Sequence, residues 1–407
     1  MNLRKNIFVT AAAALAIGLG ASAAQAEPKY GPGVSDTEIK LGGIHPFSGP
    51  VAAYGILGTA ISAYFEKVND EGGVNGRKLV YVDLDDGYSP PKTKEQARRL
   101  VEKDKVLAIV NPLGTPTNSA IHKYMNKNKV PHLFVSSGAA KWAQPEKFPW
   151  TMGFQPTYAT EGRVFARYVL ENNPNAKIGI LYQNDDYGRD YVSGFKEVLG
   201  DKADTMIVSE QTYEATDPTV DSQIANLKAA GADVFFNVST SKFAAMAIRK
   251  AHDIGWKPLH LLNSVSASVN AVMKPAGFDK SEGIITILYM KDPTDPAWAD
   301  DAEYKEWLAF MEKYYPKGDR DNYLNALAYA IAQTTVQTLE QSGDDLTREN
   351  VMKQAANLRN FRAKMVLPGI FVNTSPTDYA PLEAVQLQRF ENGHWVRFGE
   401  IISAESS

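Results

Sequence analysis

Asp83-Leu84-Asp85-Asp86-Gly87 is a cluster of acids dense enough to suggest a hard cation. A twelve-residue calcium loop starting at Asp83 needs glycine at its sixth place and glutamate at its twelfth. Those places hold Tyr88 and Lys94, so the acids read instead as braces for the loop that follows a strand. The dinucleotide-like run Gly18-Leu19-Gly20-Ala21-Ser22-Ala23 has no strand before it and lies in an apolar leader. Neither a G-x-x-x-x-G-K-[ST] phosphate loop nor a G-x-S-x-G nucleophile elbow occurs. The six histidines are scattered; the nearest two, His252 and His260, fall at an expected helix end and an expected loop. There is no cysteine, which excludes disulfides, thiolate nucleophiles, Cys-ligated zinc and iron–sulfur clusters. An enzyme is poorly supported, and no cofactor or metal site is expected.

What remains is binding chemistry. Several short segments combine hydroxyls, glycine and tyrosine: Ser48-Gly49-Pro50 to Tyr54-Gly55, Asn111 to Asn118, Ser136-Ser137-Gly138-Ala139-Ala140, Asn184 to Gly188, Asn237 to Ser241 and Asn263 to Ser266. Small residues let backbone N–H groups approach a ligand, and helix N-termini favour an anionic group. Tyrosine adds an apolar wall with a polar tip. A single such hydroxyl reads as a helix N-cap; several hydroxyl-rich loops that converge in space read as a site.

Convergence depends on the elements. Short β-rich runs alternate with helical patterns, as in parallel sheets with crossover helices. Strands are expected at 39–44, 79–84, 106–110, 133–135, 177–182, 206–210, 234–237, 259–262 and 283–289. Helices are expected at 52–69, 91–104, 117–127, 160–172, 191–199, 219–229 and 243–254. Two amphipathic helices follow, one with Tyr304, Trp307, Leu308, Met311 and Tyr314 as a core stripe, the other with Leu324, Leu327, Ile331, Thr335 and Leu339. Residues 384–390 and 395–401 form a hairpin about Glu391-Asn392-Gly393. The fold class is α/β. The alternation runs twice, interrupted by a Pro/Gly stretch at 149–156, which suggests two similar lobes. In such sheets ligands bind at the carboxyl ends of the strands, where the hydroxyl-rich loops fall.

The 407 residues suit two domains, with 44% hydrophobic and 22% charged residues. Arg4 and Lys5, an apolar run from Ile7 to Ala21 and the small-x-small Ala24-Gln25-Ala26 make residues 1–26 a cleavable export signal. Removing its two basic residues leaves 41 basic and 47 acidic residues, so no basic field points to nucleic acid. Without cysteine at the cleavage site no lipoprotein anchor can form. A soluble periplasmic protein is expected, cleaved after Ala26.

Together, Ser48-Gly49-Pro50 with Tyr54-Gly55, the run Asn69 to Arg77, Asp85-Asp86 with Pro90 and Lys92, and Tyr187-Gly188 resemble the periplasmic solute-binding proteins of the leucine/isoleucine/valine-binding family. These are the receptors of branched-chain amino-acid-type ABC importers, and the resemblance runs from about Ile39 to Trp395. It implies two doubly wound β/α lobes joined by a three-stranded hinge, with crossings near Phe154–Thr157, Leu288–Lys291 and Ala384. Lobe I is then 27–156 plus 290–383, and lobe II 157–289 plus 384–407. It implies a small-molecule ligand, a membrane permease as partner and hinge closure as mechanism, in a chain expected to be monomeric.

By the same resemblance, lobe I holds a ligand carboxylate through Gly114 or Thr115 and through Ser137, Gly138 and Ala139, with Ser136 a further ligand-binding candidate. Tyr54, Tyr158 and Tyr187 supply aromatic contact. Two positions depart from the pattern. Val265 stands where the family's amino-acid binders carry a glutamate for the ligand ammonium, and Ser239 replaces a tyrosine. A buried ammonium without a carboxylate partner is costly. Asp185 or Asp186 is the remaining candidate partner. The expected ligand is therefore a small carboxylate, an aromatic or aliphatic acid, with branched-chain amino acids still open. The alternatives are a sensor presenting amides, urea or amino acids to a signalling partner and, more remotely, an exported enzyme.

Overall fold

The structure, a computed structural model, describes residues 28–403; the expected export signal lies outside them. A short strand β1 (Lys29–Tyr30) precedes a five-stranded parallel sheet of β2 (Glu38–His45), β3 (Lys78–Asp85), β4 (Ala108–Val110), β5 (His132–Val135) and β6 (Thr151–Gly153), in the order 3-2-4-5-6. The chain then enters a second sheet of β7 (Ile178–Gln183), β8 (Ile207–Tyr213), β9 (Val234–Val238), β10 (Leu259–Leu262) and β11 (Ile285–Leu288). It returns to the first unit, where β12 (Asp345–Leu346) pairs with β1. Finally β13 (Ala384–Glu391) and β14 (His394–Ser403) extend the second sheet to the order 14-13-11-10-9-7-8. The chain thus passes between the sheets three times, and the fold is two doubly wound β/α lobes.

The helices that matter below are α1 (Ile56–Asp70), α2 (Pro90–Arg98), α3 (Thr115–Lys127), α4 (Tyr158–Asn172), α5 (Asp186–Leu199), α6 (Asp221–Ala229), α7 (Ser241–Asp253), α8 (Ala302–Tyr314), α9 (Tyr323–Ser342) and α10 (Arg348–Ala355). The β13–β14 turn takes left-handed geometry at Asn392 and Gly393, φ 52° and 88°, which suits a two-residue hairpin.

Several expectations need correction. The helix expected from Ala52 breaks at Gly55 into a 3₁₀ turn (Ala52–Tyr54) and α1, so Tyr54 sits on the turn at the strand's end. The helix expected over 91–104 ends its regular turns at Arg98 and continues as one wide π turn. His260 lies on β10, not in a loop. The stripe on α9 suggested an amphipathic surface helix, yet α9 is buried on nearly every face, against α1 on one side and α10 on another. Its polar residues permit this because the hydroxyls of Thr334, Thr335 and Thr338 donate to carbonyls four residues back, at 2.8, 2.9 and 2.8 Å. No helix among the described residues is long and apolar enough to cross a membrane.

Candidate functional site

The strand-end loops of both lobes meet at a cleft that encloses about 550 Å³ of space, open solvent at its mouth included. On the first lobe the wall begins with Val51 and Tyr54 between β2 and α1 and Leu57 in the first turn of α1, and continues with Tyr88 between β3 and α2. The braces expected of the acids are seen here. Asp85 accepts from Ser48 N and Oγ at 3.2 and 2.6 Å, and Asp86 from Tyr88 N and Thr93 Oγ1 at 2.8 and 2.7 Å. They hold Tyr88, at φ 60°, in the wall.

The β4–α3 connection brings Leu113, Gly114 and Thr115 to the cleft, and Ser136 follows β5. Gly114 caps α3 at φ 100° without a side-chain hydrogen bond. A Cβ there would lie 2.4 Å from the Tyr88 ring, so only glycine fits. Thr115 Oγ1 is 2.7 Å from Ser137 Oγ, which also accepts from Trp142 Nε1 at 2.8 Å. Ser137, Gly138 and Ala139 thus lie one layer behind Thr115, around a separate small void. Gly138 supports the wall: its carbonyl accepts from Tyr158 N at 2.8 Å, and a Cβ would strike the Tyr158 ring at 2.7 Å.

The second lobe contributes Tyr187 in the first turn of α5, Thr240 before α7 and Val265 after β10. Gln155, Tyr158 and Tyr289 come from the crossings, and Tyr323, Leu324 and Leu327 from α9. Tyr158 stacks on Tyr191 with centroids 4.6 Å apart and meets Tyr187 edge-on at 5.2 Å. None of the lining residues is Asp, Glu, Lys, Arg or His. Burial pushes the hydroxyls of all six lining tyrosines up, so they stay neutral.

The lobes touch across this cleft. Tyr54 Oη accepts from Ser241 N and Oγ at 3.1 and 2.8 Å and donates to Val265 O at 3.2 Å. Tyr323 Oη donates to Ser264 O at 2.9 Å. At the rim, Lys141 Nζ reaches Asp186 at 2.6 Å and Ala140 N donates to Asp190 at 2.9 Å. The structure is a closed form.

Of the residues expected from sequence, Tyr54, Gly114, Thr115, Ser136, Tyr158, Tyr187 and Val265 line one cleft. Asp185 does not: it caps α5 through Gly188 N at 3.3 Å and accepts from Gln183 Nε2 at 2.6 Å. Ser239 turns its hydroxyl onto Asn237 Oδ1, while its carbonyl accepts from Asn263 Nδ2 at 3.0 Å. Both belong to the scaffold under the loops. Tyr88 and Thr240 stand at strand ends that sequence reasoning could have searched residue by residue. Leu324 and Leu327 gave only a helical stripe, and Tyr323 no signal at all. Among the described residues no three His, Asp or Glu cluster as a metal site.

This arrangement is two doubly wound lobes closed on each other over a cleft lined by both. The chain belongs to the periplasmic binding protein family, whose profile matches residues 38–394. It is 24% identical over 323 residues to the Leu/Ile/Val-binding protein homolog 7 of Brucella abortus, covering 75% of this chain and 77% of that protein. It is 25% identical over 357 residues to homolog 1 of the same organism, covering 85% and 87%. Among solved structures, a fatty acid ABC transporter substrate-binding protein from Thermomonospora curvata matches with a TM-score of 0.78 at 24% identity, covering 93% of this chain and 97% of that one. A branched-chain amino acid ABC transporter protein from Thermus thermophilus with bound valine matches with a TM-score of 0.81 at 16% identity, covering 91% and 97%. The protein is therefore a solute-binding protein rather than an enzyme, of a family that works in the periplasm or outside the cell.

Proposed function

We propose that this protein is the periplasmic receptor of an ABC importer and captures a small monocarboxylate with an apolar body, aromatic or branched aliphatic, by closing its lobes. The observation that carries the ligand class is a cleft lined by tyrosines and aliphatic side chains, with Thr115, Ser136, Gln155 and Thr240 as neutral polar groups and no ionised group. Val265, at the position where by the resemblance amino-acid binders pair an ammonium, has a side chain of carbon only and a carbonyl taken by Tyr54, and Asp185 is engaged elsewhere. An α-ammonium would find no carboxylate among the lining residues to pair with directly, and a buried charge without a direct partner costs several kcal/mol. A carboxylate has donors at Thr115 and at the N-terminus of α3, where the Gly114 cap leaves N–H groups free of any side-chain acceptor. The structural neighbour named for fatty acids is in keeping with this reading. The permease is the partner that the family and those neighbours suggest, and closure is the signal it would read.

Calorimetry against benzoate, phenylacetate, 4-methylpentanoate, leucine, valine, benzamide and urea tests this. A carboxylate without ammonium should bind on the order of a hundredfold tighter than leucine, each 1.4 kcal/mol being about tenfold. Leucine or valine binding tighter than every acid would overturn the ligand class.

A further inference from the structure

One acid at the cleft is left unused by the reading above. Glu161, in the first turn of α4, is fully buried directly behind the loop that presents Val265. Both of its oxygens are engaged. Oε1 accepts from Ser264 Oγ at 2.7 Å, and Oε2 from Tyr191 Oη at 2.7 Å and Ser264 N at 3.2 Å. Ser264 in turn receives Tyr323 from the first lobe on its carbonyl. The ionisable groups facing Glu161 are tyrosines: Tyr158 on its own helix, Tyr191 on α5, Tyr289 after β11 and Tyr323 on α9. No Lys, Arg or His forms an ion pair with it among the described residues.

Its charge reaches the cleft. It helps to raise the hydroxyls of Tyr158, Tyr289 and Tyr323, all three of which line the cavity. An anion in that cavity stands in the same field, with no lining cation to offset it.

We infer that Glu161 is a specificity-determining residue: ionised, it opposes an anionic ligand, and binding of a carboxylate is coupled to uptake of one proton from solvent onto Glu161. The balance is simple. The carboxylate enters ionised, a proton adds to a Glu161 oxygen, and the new O–H donates to Ser264 Oγ, which reverses its present role. The Val265 loop stays anchored while the buried negative charge is lost. Burial, partly offset by the donors from Ser264 and Tyr191, pushes Glu161 up to about 7, which brings the proton within reach at neutral pH.

This inference rests on the carboxylate reading. The test takes the tightest carboxylate of the panel above and its primary amide, titrated into the intact mature protein from pH 6 to 8.5. The carboxylate should weaken by about tenfold or more across that range, the amide by less than about twofold. Calorimetry in two buffers of different ionisation enthalpy should show proton uptake with the carboxylate only. Glu161→Gln should flatten the carboxylate profile and abolish the uptake. Should that variant fold poorly, the wild-type uptake decides alone. A carboxylate that binds with a flat profile and no proton uptake overturns the role of Glu161 and leaves the ligand class standing. If no carboxylate of the panel binds, the ligand class fails, and this inference with it.

Discussion

Tyr54→Phe tests the closed state directly. The substitution keeps the ring that walls the cleft and deletes one oxygen. That oxygen makes three hydrogen bonds to the opposite lobe, to Ser241 N, Ser241 Oγ and Val265 O. Ser241 is buried in the closed form. Each net hydrogen bond contributes about 0.5–1.5 kcal/mol, and a donor left buried without a partner costs about 1–3 kcal/mol. In an open form water would satisfy the same groups, so the loss falls on the closed state alone. Closure should therefore weaken by about 2–3 kcal/mol, and affinity should drop roughly 30- to 150-fold, whichever ligand binds. Titration calorimetry measures the affinity, and small-angle scattering with saturating ligand measures closure. Tyr323→Phe, which loses the single bond to Ser264 O, should cost about 1 kcal/mol, near fivefold. Binding by Tyr54→Phe within about twofold of wild type, with unchanged scattering, would refute the claim that this hydroxyl latches the lobes.

Gly114→Ala should abolish binding and destabilise the protein by about 2 kcal/mol or more, because φ 100° strains any side chain and the Cβ meets the Tyr88 ring; thermal melting beside calorimetry checks both. Lys141→Ala removes the rim ion pair with Asp186 and should weaken binding by at most about fivefold, a difference that disappears in 1 M salt. Lys141 holds Asp186 below the usual carboxylate range. The pair's contribution is therefore present above the ordinary carboxylate pKa and lost as pH falls through the depressed one, which binding measured down to pH 3 should reveal. Mass measurement of the exported protein should give Glu27 as its first residue, and an intact Met1 held in the membrane would refute the expected cleavage.

Much of the fold was legible because its signals are local. Each strand and each helix face shows a period within a few residues, the Asn392-Gly393 turn announces its hairpin, and the rule that ligands meet strand ends located Tyr54, Gly114, Thr115, Ser136 and Tyr187. The same local reasoning misplaced Asp185, whose carboxylate is consumed by a cap two to three residues away, and took α9 for a surface helix. Periodicity reports that one face of a helix is buried. It cannot report that a second layer covers the other faces, or that Tyr323, Leu324 and Leu327 end up beside a ligand. By itself the sequence determined the two β/α lobes, the hydroxyl-rich loops and the absence of a charge at position 265. Only tertiary structure decided that Tyr54 closes on Val265, 211 residues away, that Glu161 lies behind that loop, and that Tyr88 completes the wall. The physical reason is that contacts across a cleft arise from how two independently patterned lobes pack, and no spacing along one chain segment encodes the distance between them.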